Sequence, residues 1–183
     1  MIVANRYAKS LLELAVEKGQ LEKAFADMQF VQSVYSGNKD FVIFLNSPII
    51  KTDKKLAVLK AVFGAHLSDI SLNFFIILAN KRREMYMGDI AKSFIAQYKT
   101  HKNITTAVVT SAAGIDAGAR AKILELVKEN AKGEVELVEK TDKSLIGGFV
   151  LRIGDRQVDA SIARKLNELR KSFSENPHTI NIN

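Results

Sequence analysis

Two hydrophobic periods divide the chain. Over the first hundred residues the apolar positions recur at helical spacing, interrupted by brief polar or glycine breaks. Ala4, Tyr7, Ala8, Leu11, Leu14 and Ala15 fall on one helical face, and Gly19 sits where a C-terminal cap is expected. Leu21, Phe25, Met28, Gln32 and Tyr35, with a parallel stripe at Ala24, Val31 and Val34, predict a second helix that ends at Ser36-Gly37-Asn38. Asp40 to Leu45 predicts a short helical turn, and Asn46-Ser47-Pro48 then forces an extended connection, because the ring of a proline disfavours the α region for its predecessor. Thr52 or Asp53 is expected to cap a helix through Leu56, Leu59, Val62 and Phe63 up to Gly64, and Ser68 or Asp69 the next, through Leu72 and Phe75 to Ala79. Ile90, Ala91, Phe94 and Tyr98 mark a last one. Short helices with short connections predict an antiparallel bundle.

After Lys102 the period changes. ITTAVVTS (104–111) is β-branched and reads as a strand; 116–130 returns to helical spacing with Ile123, Leu126 and Val127; EVELVEK (134–140) alternates. Thr141-Asp142-Lys143 predicts a turn into a strand over 146–153. Val158, Ile162, Leu166, Leu169 and Phe173 then form one stripe of an amphipathic helix, with Asp159 as its early acid. The expected class is α+β: an N-terminal antiparallel six-helix bundle over 1–103 and a small β-α-β-β-α domain over 104–183, with a polar tail fraying from about 175. No internal repeat or low-complexity tract interrupts this pattern.

The glycines of LIGGFVLRIGD, 145–155, raise the question of a phosphate loop. A P-loop needs its second glycine where this chain has Arg152 or Ile153, and the GxGxxG fingerprint fails as well. Phe149, Leu151 and Ile153 alternate with Val150 and Arg152, as in a half-buried strand. Gly147-Gly148 is thus expected at a bulge or a close backbone approach, and Gly154-Asp155 at a tight turn.

Composition narrows the chemistry. The 183 residues contain no cysteine, which removes disulfides, thiolate ligands and thiol nucleophiles together. His66, His101 and His178 lack metal-ligand spacing, no GxSxG elbow exists, and Glu134, Glu136 and Glu139 lie along an alternating, solvated segment. We therefore expect no catalytic residue, no metal and no cofactor. The start has neither the h-region of a signal peptide nor the acid-poor composition of a transit peptide, and FFIILA (74–79) falls far short of the ~20 apolar residues of a spanning helix. The formal charge is +7, and residues 1–103 carry 15 of the 27 basic but only 9 of the 20 acidic residues. A basic nucleic-acid-binding adaptor is the alternative reading this excess allows. Lys81-Arg82-Arg83 has no helix-turn-helix or ribonucleoprotein context, and it reads more simply as the charged end of a helix beside an interface.

Three segments carry a resemblance. ANRYAKSLLELAVEKG at the start is similar to an opening Arg-x-Tyr-Ala helix, here with Arg6 directly before Tyr7. KSLIGGFVLRIGDRQVDASIARKLNELR, 143–170, is similar to a signature of small residue and glycine, alternating strand, Gly-Asp and Asp-x-Ser before a final helix. FFIILANKRREMYM, 74–87, resembles a fifth helix and its following turn, with Lys81-Arg82-Arg83 where a glycine before the arginine is frequent. Across essentially its whole length the chain resembles the δ subunit family of bacterial F-type ATP synthase, counterpart of the mitochondrial oligomycin-sensitivity-conferring subunit. The resemblance implies a stator component without catalysis of its own, one copy per complex, peripheral at the cytoplasmic face of the bacterial membrane and without a nucleic-acid partner. It implies that the bundle holds the N-terminal segment of an α subunit between its first and fifth helices, and that the second domain meets the b subunits of the peripheral stalk. Carried over by position, the groove would draw on Val3, Tyr7, Ser10 and Leu11 from helix one and on Phe74 and Ile77 from helix five, with ordinary core packing as the competing role at each.

Overall fold

The computed structural model describes residues 2–112, 114–130, 133–154 and 156–175. The chain divides into two compact units, Met1–His101 and Lys102–Asn183.

The first unit is helical: α1 (Ile2–Glu17), α2 (Leu21–Gly37), α3 (Lys39–Asn46), α4 (Thr52–Phe63), α5 (Asp69–Asn80), a single 3-10 turn at Glu84–Tyr86, and α6 (Met87–His101). Ala4, Ala8, Leu11 and Ala15 form the buried stripe of α1. The small side chains of its three alanines let the helix lie close on α6, its main neighbour, where Met87, Ile90, Ala91, Phe94 and Tyr98 are buried. α1 ends in a Schellman motif: the amide of Gln20 donates to Ala15 O at 2.8 Å, that of Gly19 to Val16 O at 3.0 Å, and Gly19 has φ 63°.

Two expected caps fall elsewhere. The residue before α4 is Lys51, which makes no side-chain cap, so Thr52 and Asp53 are already helical. Ser68 does precede α5, but its hydroxyl donates to Asp27 Oδ2 on α2 at 2.5 Å, and its amide donates to the same oxygen at 3.1 Å. The charge that complements the α5 N-terminus is thus supplied by another helix, which is why Asp27 is buried on a stripe whose other buried members are Ala24, Met28 and Val31. A second buried polar group ties α4 to the chain after α5. Lys55 Nζ donates to Glu84 Oε1 at 2.5 Å and to Leu45 O at 2.6 Å, with both side chains almost wholly enclosed. Tyr35 donates to the carbonyl of Glu84 at 3.4 Å, and burial, with the Glu84 and Asp89 carboxylates behind it, holds its phenol well above the usual range.

The second unit contains β1 (Thr105–Ser111), α7 (Ala117–Asn130), β2 (Val135–Thr141), β3 (Phe149–Ile153), β4 (Arg156–Asp159) and α8 (Ile162–Glu175). The sheet order is β2-β1-β3-β4. β1 and β2 are parallel, so α7 serves as the crossover such a pair requires, and the other pairings are antiparallel. Ala107, Val109 and Leu151 bury one face of the sheet against Ile123 and Val127 of α7, with Phe149 and Ile153 packed beside them. The side chain of Leu126, Asp155 and the tail from 176 onward lie outside the described residues.

The expected β-α-β-β-α order gains a strand. Residues 156–159 pair with β3, Val158 opposite Leu151, so Val158 and Asp159 belong to the sheet and α8 starts three residues later. Spacing of four between Val158 and Ile162 suits a helix equally well, and only the neighbouring strand decides. Ser161 is the true N-cap: its hydroxyl accepts the amide of Arg164 at 3.2 Å, while Asp159 accepts that of Ser161 at 2.9 Å. β3 itself begins at Phe149 rather than 146, because Gly147 and Gly148 run along the β4–α8 junction. Gly148 has φ 79°, and a Cβ there would collide with the carbonyl oxygen of Ala160.

Candidate partner-binding site

On α1, Val3, Tyr7 and Ser10 follow at intervals of four and three, one open face of the helix. On α5, Phe74 and Ile77 are three apart. The fold brings these two faces together: the rings of Tyr7 and Phe74 meet edge to face with centroids 6.3 Å apart. Val3, Tyr7 and Phe74 are half-buried, while Ser10 is exposed and its hydroxyl donates back to Arg6 O at 3.1 Å. Ile77, three residues beyond Phe74 on α5, is 57% exposed. Leu11 alone among the six predicted residues lies fully inside, at 0% exposure, as part of the bundle core. It supports the α1 side of the groove and does not line it.

Two arginines complete the surface. Val3, Arg6, Tyr7, Ser10 and Arg83 enclose a cleft of about 280 Å³. Arg83 donates from Nη1 to the Tyr7 hydroxyl, and its guanidinium carbon lies 5.5 Å from the centre of the same ring, within cation–π range. The turn after α5 sends it there. Arg82 adopts φ 56°, the amide of Arg82 donates to Ala79 O and that of Arg83 to Leu78 O, both at 2.9 Å. This is a second Schellman motif, with arginine where glycine is easiest to accommodate. Sequence reasoning placed 81–83 at a charged helix end beside an interface; that Arg83 folds back over α1 depends on the left-handed turn, which nothing in an arginine triplet announces.

The second unit presents a different surface. The α8 stripe of Ile162, Leu166, Leu169 and Phe173 is open, with exposures from 44% to 79%. Ile146 and Val158 add further exposed apolar area to this unit. No group of three or more His, Cys, Asp or Glu side chains that could hold a metal occurs among the described residues. Among the same residues no helix is long and apolar enough to cross a membrane.

A family profile described as ATP synthase delta (OSCP) subunit matches residues 3–173. The chain belongs to this family. ATP synthase subunit delta of Cytophaga hutchinsonii is 38% identical over 94% of each chain, and that of Christiangramia forsetii is 35% identical over 98% of this chain and 97% of its own. A chain in the cryo-EM structure of the Toxoplasma gondii mitochondrial ATP synthase hexamer shares the fold, with a TM-score of 0.74 at 23% identity over 93% of this chain and 97% of that one. The protein is accordingly a structural, non-catalytic stator subunit of ATP synthase.

Proposed function

We propose that this subunit joins the catalytic head to the peripheral stalk, its first unit holding the N-terminal segment of an α subunit between α1 and α5 and its second unit receiving the ends of the b subunits on α8. The observation that carries the reading is the pair of solvent-facing apolar surfaces on two separate units, where an isolated subunit would gain by burying them. An amphipathic helix that buries four or five large apolar side chains gains roughly 6–15 kcal/mol gross at ~1.5–3 each. Association itself costs about 4–15 kcal/mol. One contact of this size can be weak, whereas two contacts on one chain make the second event intramolecular, which suits a stator that must resist torque. The protein is then held at the cytoplasmic face of a bacterial membrane by its partners.

The test uses the full-length chain with Ile77→Asp in the groove or Leu169→Asp on α8, both solvent-facing changes. Retention of immobilised α and b subunits is then measured. Ile77→Asp is expected to lose α and keep b, and Leu169→Asp the reverse. If neither substitution alters either partner, the assignment of surfaces is wrong; if the unaltered chain retains neither partner, the tether itself is.

A further inference from the structure

The groove of the first unit is apolar along Phe74 and Ile77, and the cleft beside it, lined by Tyr7, also takes two cations, Arg6 from α1 and Arg83 from the turn after α5. Both guanidiniums are exposed, and among the described residues neither is in an ion pair. Arg83 is nevertheless not left to wander: the Tyr7 hydroxyl accepts from one nitrogen, the Tyr7 ring lies under the guanidinium, and the Schellman turn at Arg82 fixes its backbone. A guanidinium has five N–H donors in a rigid fork, so one bond to Tyr7 leaves four for a ligand. α1 has no acidic residue in its first turn, so the positive pole of that helix, beside Val3 and Arg6, adds to the same potential.

We propose that this cleft is a carboxylate clamp: the helix that docks along α1 and α5 carries an Asp or Glu that Arg83 and Arg6 grip while its apolar face covers Phe74 and Ile77. The inference rests on the groove reading above and adds to it a polarity and a register. The Arg83 guanidinium lies over Tyr7, whose ring also meets Phe74, so the grip sits towards the Phe74 side of the apolar strip. The acid on the docked helix therefore lies on the same face as, and close to, the side chain that covers Phe74. Tyr7 is a positioning residue here, serving the clamp through its ring and hydroxyl. The arrangement also sets direction, since a helix docked the other way round would put the acid towards Ile77 and leave both cations uncovered.

The test is a double-mutant cycle by calorimetry. The full-length chain and its Arg6→Gln/Arg83→Gln variant are each titrated with a synthetic peptide of the N-terminal segment of the same organism's α subunit. Both are also titrated with peptides in which each acid is replaced singly by its amide. On the unaltered chain one amide peptide is expected to bind about 3–10-fold more weakly than the parent, the worth of an accessible charge-assisted pair. The variant is expected to bind both peptides equally, and the parent peptide's affinity for the unaltered chain to fall with added salt. Arg83→Lys, with the charge but not the fork, recovers part of the difference, and matching unfolding midpoints exclude a folding defect. An α segment without an acid, or an amide peptide that loses nothing or loses equally on both chains, overturns the clamp while leaving the groove intact. If no peptide binds the unaltered chain, the groove reading itself falls and the clamp with it.

Discussion

Replacing Gly148 by alanine tests whether the glycine pair before β3 exists for backbone packing. At φ 79° the residue occupies a conformation that costs an L-side chain roughly 1–2 kcal/mol. The added Cβ would also overlap the Ala160 carbonyl oxygen and lie 3.0 Å from Ser161 Cα and 3.2 Å from Ala160 C, all backbone atoms that no rotamer change can move. Relief requires displacing the β4–α8 junction, which is stitched to this strand by the Ala160 amide on Phe149 O at 2.9 Å and the Ile162 amide on Gly147 O at 3.0 Å. Weakening two such bonds costs about 1 kcal/mol each. The sum, about 3–4 kcal/mol, is a large share of the roughly 4–12 kcal/mol that about 0.05–0.15 per residue gives a unit the size of Lys102–Asn183. Two neighbours serve as internal references. Alanine at Gly147 meets only the tip of the Ile162 side chain, at 2.6 Å, and is expected to cost under about 1 kcal/mol because that tip can rotate away. Alanine at Gly154, φ 55° with open space around it, carries the conformational cost of about 1 kcal/mol alone. Urea unfolding of the full-length chain, followed by hydrogen exchange of β3 and β4 so that the two units are resolved, reads all three. If Gly148→Ala costs no more than Gly154→Ala, the close approach is not what selects the residue.

Three further outcomes follow from the first unit. Arg82→Gly relieves the left-handed turn at an exposed position and is expected to stabilise that unit by about 0.5–1 kcal/mol, seen as a higher melting midpoint. Lys55→Met leaves the Glu84 carboxylate enclosed without its partner and is expected to cost about 3–5 kcal/mol in denaturant unfolding, whereas Lys55→Met with Glu84→Leu recovers most of the loss. Tyr35 keeps its proton in the folded state to a higher pH than in the unfolded chain, so the unfolded state loses protons first. Its contribution is complete below about pH 10 and declines as pH rises beyond it, so Tyr35→Phe should make stability fall less steeply above pH 10 than in the unaltered chain.

What the sequence determined by itself were the features encoded locally. Helical spacing of Ala4, Ala8, Leu11 and Ala15, glycine at 19 and the alternation Phe149–Leu151–Ile153 each specify an element through interactions between near neighbours, and the structure contains those elements. The failed P-loop spacing is equally local, and in place of a phosphate cradle Gly148 makes a close approach to the Ala160 backbone. What only the tertiary structure decided were matters of partnership. Val158 is a strand residue because β3 lies beside it, Asp27 is buried because Ser68 of another segment needs an acceptor, and Ser68 does not cap its own helix for the same reason. The candidate groove divides along the same line. Val3, Tyr7, Ser10 and Leu11 are grouped only through the family resemblance, and the packing of α1 separates them: Leu11 lies in the core with Ala4, Ala8 and Ala15, whereas Ser10 is exposed and Val3 and Tyr7 are half-buried. Arg83 reached Tyr7 across 76 residues through a left-handed turn at an arginine, and no pattern confined to neighbouring positions contains that contact.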